Sequence, residues 1–313
     1  MLEFNNYYIP KLENLTDLFT IIYTIIDDIY NNIIPINIRN RRNIHDSKLS
    51  DSEIITISII GELLTIDSEK AFFSLLSREY KHLFPKLGDR TRFNRTKRNL
   101  HAVIKEIREY ISVFMQSDYD NIRVIDSMPI PVCEFGRAHF SKCFKGEASY
   151  GRCPSKKQTY FGFKFHALTT IDGFLTDYVI TPANIDDREA VWDLCEKYNS
   201  ISIIGDKGYV NKRLTPELKL KKDINLLFLK RGNSKENYPK EIRQLIFKVR
   251  RRIETSFSQL TEQLNLNKVK SKSMLGFITR TSIKVLAHNI SFLINKLMGN
   301  DESIAKIKRL AFG

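Results

Sequence analysis

The stretch Ile122 to Val132, IRVIDSMPIPV, most restricts the folds open to this chain. Val124 and Ile125 lead into Asp126, and Pro129 and Pro131 then stop the run. β-Branched residues ahead of an acid, with prolines behind it, predict a buried strand and not a helix. A carboxylate at the end of a buried strand needs a partner, because desolvating it alone is costly. Two later stretches carry acids in comparable settings: Ile201 to Tyr209 (ISIIGDKGY) and Arg250 to Leu260 (RRRIETSFSQL). The expectation is that Asp126, Asp206 and Glu254 meet around metal. Their separations of 80 and 48 residues rule out a local motif, so only the fold can join them.

Around that strand the pattern predicts an α/β domain over residues 119–298. Tyr160 to Ile171 and Phe174 to Ile180 flank Asp172-Gly173, a β-hairpin signal. A helix is expected over Asp186 to Tyr198, a fourth strand over Ile201 to Ile204, and a helix over Leu214 to Lys222. Asn225 to Leu229 reads as a fifth strand, and Glu241 to Leu264 as a long basic helix holding Glu254. The order β-β-β-α-β-α-β-α matches a ribonuclease-H-like α/β fold, a mixed five-stranded sheet flanked by helices. Ahead of it, residues 1–118 read as a helical DNA-binding or assembly domain. Leu15 to Tyr30 shows helical spacing, and cap-like starts occur at Asp46 to Glu53 and at Asp67-Ser68-Glu69. Residues 299–313 read as a flexible tail.

Fifty Lys+Arg against 36 Asp+Glu give a net charge of +14, which points to a polyanionic partner, most often nucleic acid. Between Lys81 and Glu109 nine cations face three acids, and Arg90, Arg92 and Arg95 cluster around Phe93 and Asn94 as candidate phosphate grips. The apolar run Leu15 to Ile38 is broken by Asp17, Asp27 and Asp28, short of the uninterrupted span a membrane helix needs. No secretion signal is read at the N-terminus. Four cysteines without a CxxC pair suit a reducing cytoplasm better than a disulfide framework. Cys133, Cys143 and Cys153, ten residues apart with His139 nearby, match no structural zinc pattern.

Three carboxylates suit hard, hydrated cations such as Mg²⁺ or Mn²⁺. Two such ions about 3.5–4 Å apart clamp the attacking and leaving oxygens of a phosphoryl displacement. Asp126, on the most rigid element, is expected to bridge the two ions, with Asp206 and Glu254 each completing one shell. Around Glu254, the segment Lys230 to Lys284 holds fourteen cations against four acids, which suits phosphate.

The motifs Asp126-Ser127-Met128-Pro129-Ile130-Pro131-Val132-Cys133, Ser155-Lys156-Lys157 with Tyr160 to His166, Gly205-Asp206-Lys207-Gly208-Tyr209 and Ile253 to Leu260 occur in that order. In this combination the chain resembles the DDE transposases of bacterial insertion sequences, most closely the insertion sequence 982 family, from about Asp51 to Asn295. The resemblance implies that Asp126, Asp206 and Glu254 are the catalytic, metal-binding triad. It implies double-stranded DNA as partner, with terminal inverted repeats and target both bound. A homodimer or larger assembly on DNA, in the cytoplasm at the nucleoid, goes with it. Related transposases often carry Tyr-x2-Arg-x3-Glu-x6-Lys on the last helix. Here Phe247, Arg250 and Glu254 keep the spacing, and Thr261 stands where the Lys would be, leaving Lys268 or Lys270 to substitute.

Further DNA contacts are expected from Lys156, Lys157, Lys164, His166, Lys207, Arg250 and Arg251. Arg250 lies one helical turn before Glu254, so both project from one face. Asn184, Asp186 and Asp187 read as helix-capping residues. Two other functions fit the same residues: a structure-specific nuclease of the same fold, and a repeat-binding protein that has lost catalysis.

Overall fold

The computed structural model describes residues 12–312, apart from 43, 45, 117–120, 134, 141, 154–156, 210–212, 229–237 and 301–303. The chain divides into two compact units, one of residues 115–261 and one of residues 1–114 with 262–313. Among the described residues no helix is long and apolar enough to cross a membrane.

The first helices are α1 (Leu15–Ile33), α2 (Ile36–Arg39), α3 (Asp51–Leu63), α4 (Glu69–Glu79), α5 (Arg90–Asn99) and α6 (His101–Gln116). A capping box at Asn14 with Asp17 starts α1, and one at Ser50 with Glu53 starts α3. Each box satisfies backbone N–H groups that a helix start leaves unpaired. Leu18, Phe19, Ile22, Ile25, Ile26 and Ile29 form the buried stripe of α1. Each such side chain contributes about 1.5–3 kcal/mol when removed from water. Helix α3 is apolar almost all round, and it packs against both α1 and α11 (Met274–Leu297).

Sequence pattern places the residues of α11 in the α/β domain and reads residues 299–313 as a flexible tail; both segments group with the helical unit by contact. Helix α11 packs on α3 and α5, because its own apolar surface runs nearly all round and needs helices on more than one side. The C-terminal segment ends in α12 (Arg309–Phe312), which lies against α1, with Ile307 and Leu310 buried. Asn295 Nδ2 donates to Ile304 O at 3.0 Å and ties the segment down.

Buried in α11, His288 stacks near Phe292 at 4.7 Å, and burial lowers its pKa to about 4. Between pH 6.5 and 4 the unfolded chain takes up a proton that the folded chain refuses. This contribution to stability is therefore complete above pH 6.5 and is lost as pH falls through 4. The expected loss is up to about 3 kcal/mol. Denaturant unfolding at pH 7 and pH 4.5 measures it, and His288→Gln should flatten the difference.

The α/β unit contains β1 (Ile122–Cys133), α7 (Phe135–Ala138), β2 (Ser149–Cys153), β3 (Gln158–Thr169), β4 (Leu175–Pro182), α8 (Asp187–Leu194), β5 (Ser202–Gly205), α9 (Leu214–Lys222), β6 (Asn225–Phe228) and α10 (Lys240–Ser258). Among the described residues six strands form one mixed sheet in the order β2-β3-β1-β5-β6, with β4 also on β3. The β1–β3 pair is antiparallel, whereas β1–β5 and β5–β6 are parallel. This arrangement is compatible with a ribonuclease-H-like domain. The strand beyond the expected five is β2, which shares the outer edge of β3 with β4. Its five residues show no clear alternation and form a strand because an unpaired edge accepts them.

The hairpin expected at Asp172-Gly173 joins β3 to β4. Gly173 adopts φ +94, and its carbonyl accepts a 2.7 Å hydrogen bond from Ser256 Oγ of α10. A side chain there would be strained and would lie 2.6 Å from that same Oγ, so the turn also seats α10. Helix α10 ends at Ser258, before the expected Leu264, and gives way to a π-turn over Gln259–Gln263.

Candidate active site

Strand alternation and register sort the central residues onto two faces. Asp126 pairs with Ala167, and Ser127 with His166. The Asp126 face also carries the cluster of Ile204 and Ile246, with Ile122 and Val249 packed against it, and so it faces α10. The Ser127 face belongs to Ile125, Leu168, Val191, Leu194 and Tyr209, under α8.

On the α10 face, Asp126 accepts a 2.8 Å hydrogen bond from the Ser127 N–H at Oδ1. Its pKa is pushed up to about 6, chiefly by burial. The Ser127 N–H and the Arg250 guanidinium oppose that rise, while the charges of Asp206 and Glu254 add to it. Asp206 follows β5, and its Oδ1 lies 3.4 Å from Arg250 Nη1. Glu254 is exposed on α10, one turn beyond Arg250. The fold thus gives the three acids a shared electrostatic environment with a cation among them.

These acids offer the hard oxygen donors that suit a divalent cation. Among the described residues, however, no three His, Cys, Asp or Glu side chains are gathered closely enough to hold a metal ion. Asp206 is instead drawn to Arg250. The donor set fits in chemistry, and the side chains are not closed into a cage.

The other sequence candidates scatter. Arg251 is exposed on α10, and Lys157 is exposed at the start of β3 with φ +50. Lys207 lies on the 3-10 turn Lys207–Tyr209 directly after Asp206. Lys156 lies outside the described residues. Arg90 and Arg95 are exposed on α5. Arg92 is exposed too, but its Nη2 is bonded to Asp46 O at 2.7 Å.

His166 and Lys164, expected as DNA contacts, both belong to the opposite face of the sheet from Asp126. His166 is fully buried, bonded through Nε2 to Thr181 Oγ1 at 2.9 Å, and its pKa is lowered to about 4 by burial. A neutral, enclosed imidazole has no route to a phosphate. Lys164 Nζ donates to Asp187 Oδ1 at 2.8 Å and to Ile185 O at 2.7 Å.

Sequence reasoning missed the role of Asp187. Of the three residues expected to cap, Asp186 caps α8 by accepting from Arg188 N. Asn184 exchanges hydrogen bonds with Ser149 of β2. Asp187 instead holds Lys164, accepts from Ser127 Oγ at 3.1 Å, and lies 3.9 Å from His166 Nδ1. It anchors α8 to the back of β1, one residue from Asp126. Its one sequence signal was a second acid directly after a cap. Asp187→Ala should cost about 1–3 kcal/mol by leaving half-buried donors short of a partner, measured by denaturant unfolding. Adding Lys164→Met should recover part of that loss.

A family model described as a transposase DDE domain matches residues 116–274, about half of the chain. No curated protein matches the chain. No solved structure matches it either. The matched span takes in β1, β5 and α10, the elements that carry Asp126, Asp206 and Glu254. The chain belongs to the transposase DDE domain family.

Proposed function

We propose that this transposase serves an insertion sequence of the 982 type. It binds the terminal inverted repeats of its element, frees their 3′-OH ends by metal-dependent hydrolysis, and transfers them into target DNA. The observation that carries this reading is the mutual influence of Asp126, Asp206 and Glu254, with the Arg250 guanidinium beside them. Burial raises the pKa of Asp126, and the charges of Asp206 and Glu254 add to that rise against Arg250, a cost that an added cation relieves.

Asp126, Asp206 and Glu254 would hold two Mg²⁺ or Mn²⁺ ions. Such ions supply Lewis-acid polarisation of the phosphate and a hydroxide-like water at neutral pH. Around them, the Ser127 N–H orients the Asp126 carboxylate, and Arg250 offers a planar fork to a phosphate oxygen. Lys157, Lys207 and Arg251 add positive charge for the DNA backbone. The helical unit binds repeats and supports assembly, and a homodimer at the nucleoid brings two element ends together.

The test uses two labelled duplexes carrying the element ends and a supercoiled target. With Mg²⁺ or Mn²⁺ the expected products are nicks ending in 3′-OH, then end–target joints, and neither in EDTA. Cleavage without joining would favour a structure-specific nuclease. Binding with neither product would favour a non-catalytic repeat-binding protein.

A further inference from the structure

Helix α5 and the start of α11 border an open groove of about 350 Å³ in the helical unit. Arg90, Lys97, Arg98, Lys270, Lys272 and Arg280 line it, and among the described residues Glu69 is its one acidic lining residue. The cations come from two segments some 170 residues apart, so the groove exists only in the folded chain.

Half of this charge is spent internally. Lys97 pairs with Glu69, and Lys270 Nζ lies 3.3 Å from Asp67 Oδ2. Arg280 reaches Glu62 at 3.2 Å and donates to Asp67 O at 3.2 Å. Those pairs fix the inner wall. Arg90, Arg98 and Lys272 are exposed and make no ion pair among the described residues. Three cations therefore face outward on a braced support.

The walls meet closely at Gly276. A Cβ there would lie 2.7 Å from Ser271 Oγ and 3.8 Å from Arg98 Cδ. The missing side chain leaves room for Ser271 Oγ, and the Arg98 stem runs in ordinary contact beside the first turn of α11. That 24-residue helix is capped by Ser273, whose Oγ accepts from Gly276 N, and its positive end adds to the local field.

We propose that this groove holds the phosphate backbone of duplex DNA through Arg90, Arg98 and Lys272, without reading bases. Arg90 and Arg98 stand eight residues apart on α5, about 12 Å along its axis. One strand of a duplex presents a charge about every 3.4 Å of its helix axis, so with the two axes parallel about three or four phosphates fall within that length. Long, solvated cations in an open groove suit a repeating anion better than one small enclosed ligand. The choice of DNA as the polyanion rests on the transposase reading; the phosphate-binding geometry does not.

The test is fluorescence anisotropy of a labelled duplex of arbitrary sequence with the full chain in EDTA, from 50 to 300 mM KCl. Arg90→Ala/Arg98→Ala/Lys272→Ala should lower the slope of log affinity against log salt by about 2.7. It should weaken binding equally for scrambled and element-end duplexes, with an unchanged melting temperature because all three side chains are exposed. Lys219→Ala/Lys221→Ala on α9 should leave the slope unchanged. An unchanged slope in the triple variant would overturn the proposal, as would an equal drop in the α9 variant or a loss confined to one sequence. Titration with inorganic phosphate supplies the last outcome: phosphate binding lost in the triple variant with duplex binding intact would also overturn it. Nicking is not read in EDTA, so a failure of catalysis leaves this result standing, and the reverse holds.

Discussion

Asp126→Asn is expected to reduce DNA cleavage and joining by about 10³-fold or more while making the metal-free protein more stable. The amide keeps the shape of the carboxylate and removes its charge and metal affinity, so a step that depends on a preorganised charge loses its main electrostatic support. The stability gain follows from the raised pKa of about 6. Between pH 4 and 6 the folded chain keeps a proton that the unfolded chain has released. Stability therefore falls as pH rises through that window, and the full penalty is present at pH 7. The rise from an ordinary 3.8 to about 6 sets an upper bound of about 3 kcal/mol. Product assays with Mn²⁺ and denaturant unfolding at pH 5 and 7.5 check both halves. An active variant would remove Asp126 from the chemistry, and a less stable one would point to damage to the strand.

Arg250→Ala should slow cleavage by about 10²-fold with a smaller effect on duplex affinity. Arg250 Nη1 lies 3.4 Å from Asp206 Oδ1, one helical turn before Glu254 on α10, and its charge lowers the pKa of Asp126. Removing it takes away the cation beside Asp206 that also offsets the charge of Asp126, and it deprives a bound phosphate of a fork of donors. Arg250→Lys keeps the charge and loses the planar geometry, so it should recover only part of the rate. Single-turnover rates at saturating enzyme, set beside anisotropy binding curves, separate the two effects. A wild-type rate in Arg250→Ala would make the ion pair with Asp206 a surface contact and no more.

Several features were legible because they depend on a few adjacent residues. β-Branched residues before Asp126 define β1, Asp172-Gly173 defines the hairpin, and Ser50 with Glu53 starts α3. Each is set by backbone preference or a local hydrogen bond. The positions of Asp206 just past β5 and of Glu254 on the last helix of the α/β unit follow from the same patterns, whereas Asp126 lies inside β1, which runs on through Pro129 and Pro131 to Cys133 because β3 pairs with it along that length.

What the chain order left open was decided by contacts between distant segments. Strand β2 forms because β3 offers an edge, and α11 joins the helical unit because α3 presents a face for it. Lys164 and His166 looked like phosphate ligands beside the site, but strand alternation turns them away from Asp126. Asp187 looked like a cap, and its true partners, Lys164 and Ser127, lie 23 and 60 residues away. Lys272 and Arg98 become neighbours only when α11 docks. Local sequence fixes conformation over a few residues, whereas the face a side chain occupies and the charge it meets depend on which surfaces pack together, and here that packing set the site.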